Sequence, residues 1–243
     1  MRHVAVAFFD LDKTLFAVNS GGLWVRHELA QGHITRLQAL RASLWLARYH
    51  LGFSSMQDAL LRAISLLAGT AAEPIVRRTE DFYAKHLRAL YRPGALEALE
   101  RHRSAGDRLV LLTSSSGYLS ELVARDLRLD AVLCNRFEVD AAGVHTGRPL
   151  GGLCFGAGKL AHAEQYLREL GGAVLLQECT FYTDSYSDLP VMAAVGRAVA
   201  VNPDPRLRRE ALRRGWPVVD WGMPAAQGGA PPASPPAADA EPS

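Results

Sequence analysis

The chain has 243 residues, enough for one sizeable domain or a core with a smaller insertion, and its 49% hydrophobic and 21% charged content is that of a globular chain, not a disordered or fibrous one. A net charge of +2 with no long basic block argues against a nucleic-acid partner. The three cysteines, Cys134, Cys154 and Cys179, form neither a CxxC nor a Cys/His metal spacing, so reduced structural thiols are expected.

The opening stretch MRHVAVAFFD has an apolar run too short for a signal peptide, and no run reaches the length of a membrane span; a cytoplasmic protein without a membrane partner is expected. Within it, VAVAFF (4–9) is apolar without alternation, as in a strand buried on both faces of a parallel sheet. Residues 16–92 then look all-helical, with helices expected near 22–32, 35–51, 54–68 and 72–90. Arg36, Arg41 and Arg48 interleave with Leu37, Leu40, Leu44 and Trp45, the pattern of a helix burying one face in a small helical domain. Coming straight after the first strand, this segment would sit as a lid over that strand's end. Further strands are expected at 108–113, 179–183 and 197–201, and helices at 93–105, 117–127, 157–170 and 188–195. CNRFEVDAAGVHTGRP (134–149) alternates around DAAG and reads as a hairpin. From Met223 the Ala, Pro, Gly and Ser composition cannot bury a core and reads as a disordered tail.

Strands alternating with helices imply an α/β fold, an open Rossmann-like parallel sheet, here with an inserted all-helical segment. The expected organisation is a core of 1–15 and 93–222, a helical cap of 16–92, and a tail of 223–243. Ligands on such sheets bind beyond the carboxyl ends of the strands. Asp10, Thr113 and Asp184 each fall at or just past a strand end, so three distant polar groups should meet at one edge.

The chemistry starts from FFDLDKTL (8–15). Two carboxylates at the end of a buried strand are costly unless a cation or a hydrogen-bond network holds them. TDSYSDLP (183–190) adds Asp184 and Asp188 at another strand end. Hard oxygen ligands around one point suit Mg²⁺, and Lys159 with the Thr113 hydroxyl supplies charge and donors for a phosphoryl group. Asp10 would attack phosphorus, and Asp12 would protonate the leaving alcohol and later take a proton from water. Each residue alone has a plainer reading: Thr113 as a helix cap, Lys159 as a solvated helix residue, Asp184 and Asp188 as cap and surface charge. The ordered combination carries the inference.

On these residues the chain resembles the haloacid dehalogenase superfamily, in the branch that includes phosphoserine phosphatase. DLDKTL matches its first motif, LLTSS its second, GAGKL its third and YTDSYSDLP its fourth, while NRFEVDAAGVHTG and LRAISLLAG resemble the branch's hairpin and a stretch of its cap. The resemblance implies Asp10 as nucleophile and Asp12 as general acid/base. It implies Mg²⁺ held by Asp10, the Asp12 main-chain carbonyl and Asp184. Thr113, Ser114 and Lys159 would bind the phosphoryl group, with Thr14 supporting the loop and Asp188 orienting Lys159 or a metal-bound water. Asp12 also argues against a dehalogenase, which has no leaving group to protonate.

Departures concern the substrate. The branch's ammonium-binding glutamate is replaced near FAVNSGG by Asn19, and Arg62 matches a cap arginine that binds a substrate carboxylate. The expected activity is therefore a phosphomonoester hydrolase acting on a small-molecule phosphate ester, with phosphoserine first and histidinol phosphate, another amino-alcohol phosphate or a broad range as alternatives. A phosphomutase or a non-enzymatic phospho-receiver is disfavoured, the latter because its acceptor lies on a mid-domain strand without an inserted lid. A monomer or homodimer is expected. GGLCFGAGKL fails the P-loop spacing, and GAGKLA follows a loop rather than a strand, so neither is a nucleotide fingerprint.

Overall fold

The computed structural model describes residues 5–35, 37, 56–172 and 174–225. At its centre six strands form one parallel sheet: β1 (Val6–Phe9), β2 (Arg108–Ser116), β3 (Ala131–Asn135), β6 (Thr180–Thr183), β7 (Arg197–Val201) and β8 (Val218–Val219), in the order β3-β2-β1-β6-β7-β8. A separate antiparallel pair joins β4 (Phe137–Val139) to β5 (His145–Pro149).

The unbroken hydrophobicity of the central strands has a direct cause. Along β1, Ala7 and Phe9 enter one core cluster with Ala95, Ala98 and Leu99 of the helix Pro93–Ala105. Val6 and Phe8 enter the other, against Ala163, Tyr166 and Leu167 of the helix Ala157–Glu169. Both pleat faces are therefore covered, as Leu109 and Leu111 against Val110 and Leu112 repeat on β2. Each fully buried phenylalanine contributes roughly 1.5–3 kcal/mol of transfer free energy.

The described helices are α1 (Ser20–Ala30), α2 (Met56–Ser65), α3 (Ala72–Phe82, prolonged by a wide turn over Tyr83–Leu87), α4 (Pro93–Ala105), α5 (Gly117–Leu127), α6 (Ala157–Glu169), α7 (Leu189–Ala194) and α8 (Pro205–Arg214). Among the described residues none is long and apolar enough to cross a membrane. Several sequence expectations need correction. The strand expected to end at 113 runs on to Ser116. Cys134 and Asn135 belong to β3 of the main sheet, so the hairpin begins only at Phe137. The helix expected over 72–90 is α-helical only to Phe82. The expected helix 35–51, with its arginine stripe, lies outside the described residues apart from Thr35 and Leu37.

The segment between β1 and α4 enters and leaves side by side. Phe16 and Tyr91 form an antiparallel bridge with their rings stacked at 4.8 Å, and Ala17 N–H donates to the Leu90 carbonyl at 2.9 Å. Tyr83 Oη donates to Asp126 of α5 at 2.6 Å and meets Tyr91 Oη at 2.7 Å, while Arg88 reaches the same carboxylate at 3.0 Å. Buried His145 of β5 contacts the Thr70 carbonyl through Nδ1 (2.8 Å) and Tyr118 Oη through Nε2 (2.7 Å). The helical segment is thus fastened both to α5 and to the hairpin.

Candidate active site

The strand order reverses between β1 and β6, and a crevice outside the strand ends is expected at such a switch point. Asp10 follows β1 and Asp184 follows β6, and Asp10 N–H donates to the Tyr182 carbonyl at 2.9 Å, which locks the two ends together. Beneath them Phe9 and Tyr182 stack at 4.9 Å, and Trp221 lies 5.1 Å from Tyr182.

After Asp10 the chain makes a wide turn, closed by Phe16 N–H to the Leu11 carbonyl at 2.9 Å. Asp12 is extended and Lys13 is left-handed at φ 58°, which costs a lysine roughly 1–2 kcal/mol. This kink separates the Asp12 side chain from Thr14, whose hydroxyl faces Asp184 Oδ1 at 3.5 Å. Asp12 Oδ1 accepts from Ser20 N–H, the first residue of α1, at 2.8 Å. The second carboxylate therefore sits at a helix N-terminus, a favourable place for negative charge.

Lys159 comes from the first turn of α6. Its ammonium is 2.7 Å from Asp10 Oδ1 and 2.8 Å from Asp188 Oδ2, and its side chain is 3% exposed. Asp188 Oδ2 also accepts from Thr183 Oγ1 at 2.7 Å, while Asp188 Oδ1 is buried with no partner. Gly158 permits the tight entry into α6, since a Cβ there would lie 1.9 Å from the Leu153 carbonyl oxygen. Thr113, 2% exposed, lies near the end of β2; its Oγ1 accepts from Ser115 N–H at 3.2 Å, leaving the hydroxyl proton free to donate.

The electrostatics follow from one ammonium paired with two buried carboxylates, Asp10 and Asp188, and a third buried carboxylate, Asp184, close enough to feel their charge. Burial pushes Asp10 up to about 7 against the pull of Lys159. Burial, reinforced by the Asp10 charge, pushes Asp184 up to about 8. Burial also raises Asp12, opposed by its bonds from Ser20. For Lys159 burial acts downward, but Asp10 and Asp188 outweigh it and hold the ammonium well above the usual lysine value.

Of the sequence-derived residues, Asp10, Thr14, Lys159, Asp184 and Asp188 meet in this cluster, and Thr113 and Ser114 lie in the last part of β2, the strand beside β1. Asn19 is exposed, and its Oδ1 caps α1 by accepting from Gly22 N–H at 2.8 Å. Arg62 is exposed on α2. Supporting residues not singled out from sequence are equally telling. Buried Asn135 donates to the Ser114 carbonyl at 2.7 Å and accepts from Cys154 N–H at 2.8 Å, tying β2 to the approach to α6. Asp204 caps α8 and accepts from Tyr186 N–H at 2.8 Å, while its own N–H donates to the Asp184 carbonyl at 2.8 Å. The Asp-Pro pair at 204–205 was a readable cap signal.

A cation would find carboxylate oxygens on Asp10 and Asp184, with the unpartnered Asp188 Oδ1 in the same buried cluster. Among the described residues no three His, Cys, Asp or Glu side chains are gathered as a ready-made cage. The donor set therefore suits a hard ion that takes one or two carboxylates and completes its shell with water and substrate oxygens.

Residues 7–193 match the model of the haloacid dehalogenase-like hydrolases. The chain is 34% identical over 221 residues to the phosphoserine phosphatase SerB1 of Mycobacterium tuberculosis (strain ATCC 25618 / H37Rv), covering 89% of this chain and 71% of that one. It is 27% identical over 218 residues to the histidinol-phosphatase of Neisseria meningitidis serogroup C, covering 89% and 98%. A crystal structure of a protein of unknown function from Bordetella pertussis Tohama I superposes with a TM-score of 0.82 at 30% identity, covering 90% of this chain and 99% of that one. The chain belongs to the haloacid dehalogenase-like hydrolase family and is a hydrolase, with relatives named as phosphatases.

Proposed function

We propose that the protein is a Mg²⁺-dependent phosphomonoester hydrolase working through an aspartyl-phosphate on Asp10. The observation that carries this reading is the buried excess of carboxylate over ammonium at the switch point, centred on Asp10 with Lys159 at 2.7 Å. When bound, Mg²⁺ would offset the charge of Asp10, Asp184 and the phosphoryl oxygens, with the Asp12 main-chain carbonyl as a third protein ligand. An Asp10 oxygen forms the bond to phosphorus as the bond to the ester oxygen breaks. Asp12, whose proton affinity burial raises, gives a proton to the leaving alcohol. As a carboxylate it then takes a proton from the water that attacks phosphorus, which frees Asp10 and releases phosphate. Lys159, Thr113 and Ser114 hold the phosphoryl oxygens, Asp188 fixes Lys159, and the helices of 16–92 act as a cap over the core of 1–15 and 93–222.

The organic part of the substrate is a small alcohol. Phosphoserine is the first reading and histidinol phosphate the second, supported by the names of the relatives above, with Arg62 on the helical segment as the group that would meet a substrate carboxylate. Phosphate release from a panel of small esters with Mg²⁺ tests this. A strong preference for one amino-alcohol phosphate supports it; even, weak turnover removes the substrate assignment, and no release from any ester removes the function.

A thermal measurement gives a pH-dependent prediction. Asp10 and Asp184 have native values near 7 and 8, above the unfolded carboxylate value, so without metal their contribution favours folding at low pH and is lost as pH rises through 7 and 8. Mg²⁺ needs both ionised. The Tm increase produced by a fixed Mg²⁺ concentration should therefore be small at pH 5.5, on the order of 1 °C, and several-fold larger near pH 8.5. An increase that is constant across this range would contradict the assigned ligands.

A further inference from the structure

We propose that Arg92 is a positioning residue for the nucleophile loop, and that it carries support to that loop from the chain's own segment 218–223. This rests on the function proposed above and concerns a residue outside the reacting set.

Arg92 is 6% exposed and belongs to no catalytic motif of the sequence. A buried guanidinium ordinarily pairs with a carboxylate. Here it bonds instead to main chain: Nε donates to the Lys13 carbonyl at 3.0 Å and Nη1 to the Gly222 carbonyl at 2.5 Å, with Met223 Sδ at 3.6 Å. Arg92 N–H donates to the Leu15 carbonyl at 2.9 Å. One residue thus grips the loop on both sides of Thr14, whose hydroxyl faces Asp184. The gripped turn is the one where Lys13 is left-handed, a conformation that persists only when its surroundings hold it. The peptide joining Asp12 to Lys13 carries the carbonyl assigned to Mg²⁺, so the grip on the next carbonyl fixes its direction.

The other end of the grip is equally defined. β8 pairs with β7, Trp221 N–H donates to Asn202 Oδ1 at 3.0 Å, and Gly94 N–H donates to the Trp221 carbonyl at 3.0 Å. Gly94 leaves room for this strap: a Cβ there would lie 2.6 Å from the Trp221 ring and 2.9 Å from its Cα. Arg92 therefore couples the strap to the loop between Asp10 and Thr14.

The test uses the full chain with Arg92→Met, Arg92→Lys and Gly94→Ala. Mg²⁺ is titrated twice, by its effect on Tm without substrate and by its effect on turnover. The half-saturating Mg²⁺ concentration should rise about 10- to 100-fold in Arg92→Met by both readouts, with partial rescue in Arg92→Lys. KM at saturating Mg²⁺ should stay within about twofold, because the phosphate-holding side chains are untouched. Gly94→Ala, which displaces the strap and leaves Arg92 and the loop unaltered, should shift the constant in the same direction; if Arg92→Met does not fold, Arg92→Lys and Gly94→Ala carry the test. A lower Tm with an unchanged Mg²⁺ constant in all folded variants would overturn the proposal and leave Arg92 a scaffold residue. A shift in the Arg92 variants alone would overturn the strap's part. A wild-type protein that turns over esters without responding to Mg²⁺ would overturn this inference and the metal reading together, whereas one that releases no phosphate but binds Mg²⁺ with the expected variant shifts would sink only the catalytic reading.

Discussion

Asp10→Asn is expected to stop turnover, by roughly 10³- to 10⁶-fold, while leaving a folded protein. The substitution keeps the side chain's shape and an oxygen for Lys159, now at 2.7 Å, but removes the nucleophile. The stability sign is informative. Burial raises Asp10 to about 7, so in the metal-free wild type its ionisation opposes folding, and the loss grows as pH rises to that value. The amide has no such titration. Metal-free Asp10→Asn should match or exceed the wild-type Tm at pH 8, yet gain little from added Mg²⁺. Near-normal kcat in this variant would exclude covalent catalysis by Asp10.

Lys159→Met should cause the largest loss of stability. The ammonium lies between Asp10 and Asp188, and its removal leaves buried carboxylates facing one another without a cation. Breaking a buried ion pair from one side costs about 3–5 kcal/mol, which for a chain of this length lowers Tm by roughly 6–20 °C. Lysine's own titration lies above the accessible range, because its native value is raised further. The pH dependence therefore comes from the carboxylates: the deficit should be greatest near pH 8 and shrink toward pH 5 as Asp10 and Asp184 are protonated. Chemical denaturation at the two pH values measures it. A deficit that is independent of pH would mean that the cluster's charge balance is not what Lys159 maintains.

The parts of this molecule that were legible in sequence are those where local pattern and buried charge conflict. Asp10 and Asp12 end an unbroken apolar run, and Asp184 follows another, so their burial had to be compensated. Lys159 was conspicuous because the chain has only two other lysines, Lys13 and Lys85. What stayed hidden is made by distant contacts. Asn135 acts across 21 residues to Ser114, and Arg92 across 79 to Lys13 and 130 to Gly222; neither leaves a periodic trace. β3 was absorbed into the neighbouring hairpin pattern because Asn135 and Phe137 are nearly contiguous. β8 has two residues, too few for any period. α8 buries only Leu207 and Ala211 among five arginines, so its apolar stripe is thin and its cap was the better signal.

The most direct test of the central claim is to trap the covalent state. The wild-type protein is mixed with Mg²⁺ and a phosphate ester that it hydrolyses, quenched in acid within the first turnover, and treated with borohydride, which reduces an acyl phosphate to an alcohol. Peptide mass spectrometry then reads position 10. Conversion of Asp10 to homoserine, lost when the ester is omitted, is the predicted result. Conversion at another carboxylate, or at none while phosphate is released at the same rate, would contradict it.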